Sequence, residues 1–156
     1  MVDLVRQGAD VIVSRTFSKI YGIAGLRIGY VIAKPELIRR MERYKMGIPV
    51  SQTALAAAQA SLGDDAFMKL SRDNNAEARN HLFNYLDKQK FFYGKSFTNF
   101  VFADMGAGGR RIMDALSERG IGIRVWEFKG KAWCRVSVGT LDEMKVLTKA
   151  LSEIIS

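Results

Sequence analysis

A chain of 156 residues with 48% hydrophobic and 26% charged side chains is long enough for one domain, or one and a half small ones, around a real core. The formal net charge of +8 would suit a polyanion. Lys and Arg are nevertheless dispersed, adjacent only at Arg39-Arg40 and Arg110-Arg111, which argues against nucleic acid as the partner. A lone cysteine, Cys134, rules out an internal disulfide framework and fits a reducing cytoplasm.

Val11-Ile12-Val13-Ser14 is an apolar, β-branched run and is expected to be a buried strand. The first ten residues carry Asp3, Arg6 and Asp10 instead of the apolar run of a leader, and no stretch nears the roughly 20 apolar residues of a membrane span. Gly22 and Gly25 break the chain into a turn, and Ile28 to Ala33 is expected to form a second strand. Pro35 opens a helix with Leu37, Ile38, Met41 and Tyr44 on one face, which Gly47 and Pro49 should end. Ser51 is placed to cap an Ala-rich helix to about Leu62. Gly63-Asp64 should start a long helix to about Lys90, with Phe67, Leu70, Ala78, Leu82, Tyr85 and Leu86 along its stripe.

After Gly94 the pattern changes. Strands are expected at Asn99–Met105, Ile121–Trp126 and Trp133–Val138, with a helix at Arg110–Arg119 between the first two. A last helix, Leu141 to Ile155, carries Met144, Leu147, Leu151 and Ile154 on one stripe, and Thr140 with Glu143 makes a capping-box pattern at its start. This β-α-β-β-α order implies a small α+β unit with helices on one sheet face. The stretch before residue 50 reads as the tail of a larger sheet, since two strands alone rarely make a stable one.

Chemistry concentrates in Ser14-Arg15-Thr16-Phe17-Ser18-Lys19 and in Gly22-Ile23-Ala24-Gly25-Leu26-Arg27-Ile28-Gly29-Tyr30. One lysine stands at the mouth of an apolar strand, with hydroxyls beside it and an arginine after it. Such a group suits an amine that bonds covalently to an aldehyde while hydroxyls and a guanidinium hold an attached phosphate. Two further arginines, Arg124 and Arg135, lie in Gly120-Ile121-Gly122-Ile123-Arg124-Val125 and Cys134-Arg135-Val136-Ser137-Val138-Gly139-Thr140. Alternation puts Arg124 with Trp126, and Arg135 with Trp133 and Ser137, opposite the aliphatic set. By pattern alone that is a solvated strand face.

The string Arg-Thr-Phe-Ser-Lys…Gly-Ile-Ala-Gly-Leu-Arg-Ile-Gly-Tyr resembles the signature of the pyridoxal-phosphate aminotransferases of the aspartate aminotransferase fold type, and the histidinol-phosphate branch in particular. The resemblance covers essentially the whole chain, and it corresponds to the C-terminal two-fifths or so of a family member. It implies an α/β fold: the C-terminal part of a large pyridoxal-phosphate domain over residues 1–50, connecting helices over 51–94, and an α+β small domain over 95–156.

The same resemblance implies that Lys19 is the catalytic lysine bonded to pyridoxal 5′-phosphate, with Thr16 or Ser18, and Arg27, as phosphate ligands. It makes Arg135 the clamp for the substrate's carboxylate or phosphate and Arg124 a second arginine beside it. Asn99, opening Asn99-Phe100-Val101-Phe102, either lines the site or is structural. The implied reaction moves an amino group from an amino acid or histidinol phosphate to a 2-oxo acid in a cytoplasmic homodimer.

In the family, the acidic partner of the pyridine nitrogen and the glycine-rich phosphate turn lie further upstream of the lysine than residue 1 does here. The chain is therefore expected to be an incomplete enzyme that self-associates through an open sheet edge. The alternative is a non-catalytic truncated homologue acting as a binding module. His81, the only histidine, sits mid-helix, and with one cysteine the chain offers no metal-ligand spacing.

Overall fold

The computed structural model describes residues 1–45, 47 and 49–155. It is a mixed α/β structure, as the sequence implies, and divides into two compact units, Met1–Lys69 and Leu70–Ser156.

The first unit begins with a short helix, α1 (Val2–Arg6), which has no apolar stripe for sequence reading to detect. Strand β1 (Val13–Thr16) then pairs antiparallel with β2 (Gly29–Ile32), so that Thr16 faces Gly29 and Val13 faces Ile32. The strand is displaced from the expected Val11–Ser14 towards the polar residues. Pairing with β2 decides its limits, and only Val13 of its four residues is buried. Between the strands lies a 3₁₀ turn, Ala24–Leu26.

Helix α2 (Pro35–Glu42) starts with Pro at its first position and stops before Tyr44, which is left exposed rather than on an apolar face. Met46 and Ile48, in the segment expected to end that helix, lie outside the described residues. Helix α3 (Gln52–Leu62) is capped by Ser51, whose Oγ accepts from the Ala54 N–H at 3.1 Å. A small core of Phe17, Ile28, Ala54 and Ala58, flanked by Tyr21, Ile23 and Leu26, ties the turn to α3.

The long helix α4 (Asp65–Lys88) runs from the first unit into the second. Asp64 receives the Phe67 N–H on its Oδ1 at 2.9 Å, anchoring the start. Four antiparallel strands follow, in the order β3-β4-β6-β5: β3 (Phe92–Tyr93), β4 (Phe100–Asp104), β5 (Arg124–Phe128) and β6 (Lys131–Ser137). Helix α5 (Gly109–Ser117) connects β4 to β5, and α6 (Leu141–Ile155) closes the unit. The two-residue β3 is too short to leave a sequence signal.

One sheet face carries Val101, Ala103, Cys134 and Val136, all buried. Against it pack Ala78, Leu82 and Leu86 of α4, Ile112 and Leu116 of α5, and Met144, Leu147 and Leu151 of α6. Helices α4, α5 and α6 therefore cover one face of this sheet. The alternation in β4 and β6 sends every second residue to the other face.

Candidate functional site

The turn between β1 and β2 gathers the first group of candidates. The Phe17 N–H donates to the Ile28 carbonyl at 3.2 Å, extending the hairpin ladder one step beyond Thr16 and Gly29. Ser18 and Arg27, the next residues on each side, are thus brought to the same mouth. Phe17 and Ile28 are buried in the small core, whereas Thr16, Lys19 and Arg27 are exposed and Ser18 partly so. Thr16 Oγ1 accepts from the Ser18 N–H at 3.0 Å, fixing the curl that presents Lys19. The Lys19 carbonyl accepts from the Gly22 N–H at 2.9 Å, and Gly22 takes φ +72°, which closes the turn without a Cβ penalty.

Two features mark this mouth as constrained. Arg27 holds a left-handed backbone, φ 52°, unusual for a residue with a Cβ, and its Nη1 donates to the Ala24 carbonyl at 2.9 Å. Gly29 lies so close to the opposite strand that a Cβ there would sit 2.7 Å from the Arg15 carbonyl oxygen. Only glycine lets the strands close at this point. Lys19 itself is exposed, and neither it nor the Ser18 hydroxyl has a partner among the described residues. The Arg27 guanidinium keeps N–H groups free beyond the one used locally. The mouth therefore offers one free amine, two hydroxyls and a guanidinium to a phosphate-bearing aldehyde, and these groups fit such a ligand.

The second unit gathers the other candidates on the helix-free face of its sheet. Arg124 and Arg135 are direct cross-strand partners, and Phe102 stands opposite Arg135 on its other side. One row across the sheet thus reads Phe102, Arg135, Arg124. The next reads Asp104, Trp133, Trp126. Like charges directly opposite each other repel, so this arrangement favours an anion that both guanidinia can share. Neither arginine has a carboxylate partner among the described residues.

Lys131, on the same strand as Arg135, is already neutralised. Lys131 Nζ lies 2.9 Å from Asp104 Oδ2, and that bond, with the Gly106 N–H, holds the Asp104 carboxyl below its ordinary range. Asn99 sits just before β4, where its carbonyl accepts from the Val138 N–H at 2.8 Å and fastens the start of one strand to the end of another.

The sequence pattern sets Trp126, Phe128 and Trp133 near one strand pair as packing residues, and the structure adds their ring contacts with Phe92 and Phe102. Phe102 and Trp126 meet at 5.5 Å between ring centroids, and Phe92 meets Trp133 edge-on at 5.9 Å. Phe102, Trp126, Phe128 and Trp133 line a shallow apolar depression beside the arginine row. The available signal was the alternation of β5 and β6, which sorts Trp126 and Trp133 with the arginines. The register that makes them neighbours was not readable.

The chain as a whole is similar to known proteins. The family model for aminotransferases of class I and II matches residues 1–151. The chain belongs to that family. It is 37% identical over 154 residues to the histidinol-phosphate aminotransferase of Moorella thermoacetica, covering 97% of this chain and 40% of that protein. The histidinol-phosphate aminotransferase 1 of Cupriavidus pinatubonensis is likewise 37% identical, over 155 residues, covering 97% and 41%.

Among solved structures, the histidinol-phosphate aminotransferase of Sinorhizobium meliloti in complex with pyridoxal-5′-phosphate superimposes with a TM-score of 0.84 and 34% identity. The match covers 93% of this chain and 41% of that one. The chain thus spans about two-fifths of the length of these relatives. Among the described residues no helix is long and apolar enough to cross a membrane, and no cluster of His, Cys, Asp or Glu is arranged to hold a metal ion.

Proposed function

We propose that this chain carries the lysine-bearing and substrate-arginine parts of a pyridoxal-phosphate-dependent aminotransferase of the histidinol-phosphate type. The observation that supports the reading is the hairpin mouth, where Lys19 is exposed and without a partner among the described residues, next to the Thr16–Ser18 curl and across the hairpin from Arg27. In this reading Thr16 or Ser18, and Arg27, would hold the cofactor phosphate, and Lys19 would be the amine that condenses with its aldehyde, releasing water. When bound, the cofactor supplies an electron sink for the substrate α-carbon. Lys19 would serve as the group that takes and returns the proton of the substrate α-carbon.

Arg135 and Arg124 bind the anionic end of the substrate, an amino acid or histidinol phosphate, with a 2-oxo acid as amino acceptor. Asn99 either lines that site or secures the start of β4. Residues 1–50 belong to the large domain in this reading, residues 95–156 to the small one, and 51–94 connect them. The working form is a cytoplasmic homodimer. The alternative is a binding module without catalysis. Lys19 separates the two.

The test adds pyridoxal 5′-phosphate to the wild-type chain and to Lys19→Ala, reduces with borohydride, and locates the adduct by mass spectrometry. The expected result is a visible absorption band in the wild type, lost in Lys19→Ala, with the cofactor fixed on Lys19 after reduction. Adducts scattered over several lysines in both proteins would favour the binding module.

A further inference from the structure

Arg135 is not held in the way its neighbours suggest. Its direct cross-strand partners are Phe102 and Arg124, yet its guanidinium carbon lies 4.3 Å from the centroid of the Phe100 ring, one diagonal step along β4. Phe100 is in turn met edge-on by Phe102, at 5.7 Å and 90° between ring planes, and Phe102 leans on Trp126 of β5. The three rings form a row from β4 to β5, and the guanidinium lies against its end. A ring face attracts a guanidinium, and two such cations repel each other, so both forces draw Arg135 onto Phe100 and away from Arg124.

From this geometry we infer that Phe100 is a positioning residue for the anion clamp: its ring, buttressed by Phe102, sets the place of the Arg135 guanidinium and leaves it free to meet an oxyanion bidentately. The inference rests on the reading of Arg135 as the anion clamp, and it adds a residue to which that reading gives no role. A guanidinium lying against a ring has fewer rotamers to lose when an anion binds, and it needs no carboxylate neighbour that would compete with the ligand. That explains how Arg135 can be half-buried, without an ion-pair partner among the described residues, and still be held in place.

The test compares the full chain with Phe100→Leu, Phe100→Tyr and Arg135→Ala, using inorganic phosphate as the probe at constant ionic strength. Two quantities are read: the NMR shifts of the Arg135 side-chain protons, which a ring face at this distance moves upfield, and the affinity for phosphate. The wild type and Phe100→Tyr should both show shifted Arg135 signals. Phe100→Leu, which keeps the apolar volume but not the ring, should lose the shift and bind phosphate about 3-fold to 10-fold more weakly.

Identical Arg135 shifts in the wild type and Phe100→Leu would overturn the inference, and so would a Phe100→Leu that loses the shift but binds phosphate as the wild type does. Failure of the clamp reading looks different. Arg135→Ala would then bind phosphate as well as the wild type, whatever the Phe100 variants do. A general loss of fold would appear as collapsed dispersion in the spectrum, and the aromatic rescue by Phe100→Tyr guards against that reading of Phe100→Leu.

Discussion

At the scale of single residues, what a side chain can do here follows from the face it occupies. Cys134 and Arg135 are neighbours in β6, and the one-residue difference sends the thiol into the core and the guanidinium to the helix-free face. Burial, with a further push from the Asp104 charge, raises the Cys134 thiol from its ordinary value up to about 11. At pH 8 only about one molecule in a thousand would then carry a thiolate, and the sulfur is also shielded. Native protein should therefore react with a disulfide reagent at pH 8 orders of magnitude more slowly than unfolded protein. A single fast phase without denaturant would show that the β6 core face opens. Much of this was legible in the sequence, because alternation sorts Cys134 with the valines and Arg135 with Trp133. The stack of Arg135 on Phe100 was not legible. It depends on the register between strands some thirty residues apart in sequence and on a diagonal contact that alternation does not rank.

At the scale of elements, the helices were read more accurately than the strands. Helix α6 begins and ends where its stripe and the Thr140-Glu143 pattern place it. The box is closed in both directions: the Glu143 carboxylate accepts from the Thr140 N–H at 2.7 Å, and Thr140 Oγ1 accepts from the Glu143 N–H at 3.3 Å. The Thr140 N–H and, at 3.0 Å, the Thr140 hydroxyl both donate to Glu143 Oε2, which favours the ionised form and holds the Glu143 carboxyl below its ordinary range. A depressed carboxylate stabilises the fold fully above the unfolded-state value and loses that contribution as pH falls through the lower folded-state value. The melting temperature of the wild type should therefore exceed that of Glu143→Gln at pH 7, and the gap should close towards pH 3. A gap that stays constant across this range would mean that the amide and the carboxylate cap equally well. Strand limits were harder to read because a strand is defined by its partner. Val11 and Ile12 look like strand by composition, yet β1 begins only at Val13, opposite Ile32, and ends at Thr16, opposite Gly29. Ile121 and Ile123 likewise precede β5 rather than belong to it, although both pack on the core.

At the scale of the whole molecule, the two units differ in how much they bury. The second encloses a continuous core with Leu82, Leu86, Leu116, Leu151, Val101 and Val136 almost wholly shielded from solvent. Truncating one of these leucines to alanine would cost about 2–5 kcal/mol. The first unit relies on Phe17, Ile28, Ala54 and Ala58, two of which are alanines with little apolar surface to hide, and it leaves Ile12, Val31, Leu55 and Leu62 exposed. Its hairpin is a two-stranded sheet, which is marginal without further strands or a covering surface. The unit bearing the lysine should thus open at lower free energy than the unit bearing the arginines. Hydrogen exchange followed residue by residue would measure this. The amides of Leu82, Val101, Cys134 and Leu151 should be the slowest, and those of Phe17, Gly29 and Val31 should exchange through a smaller opening, sensitive to low denaturant. Equal protection in both units would show that they unfold as one cooperative body. The expected hierarchy also bears on cofactor capture. A ligand that binds only the closed hairpin mouth stabilises it by mass action. Pyridoxal 5′-phosphate should accordingly slow exchange at Phe17 and Gly29 while leaving Leu82 and Leu151 unchanged, and Lys19→Ala should remove that effect.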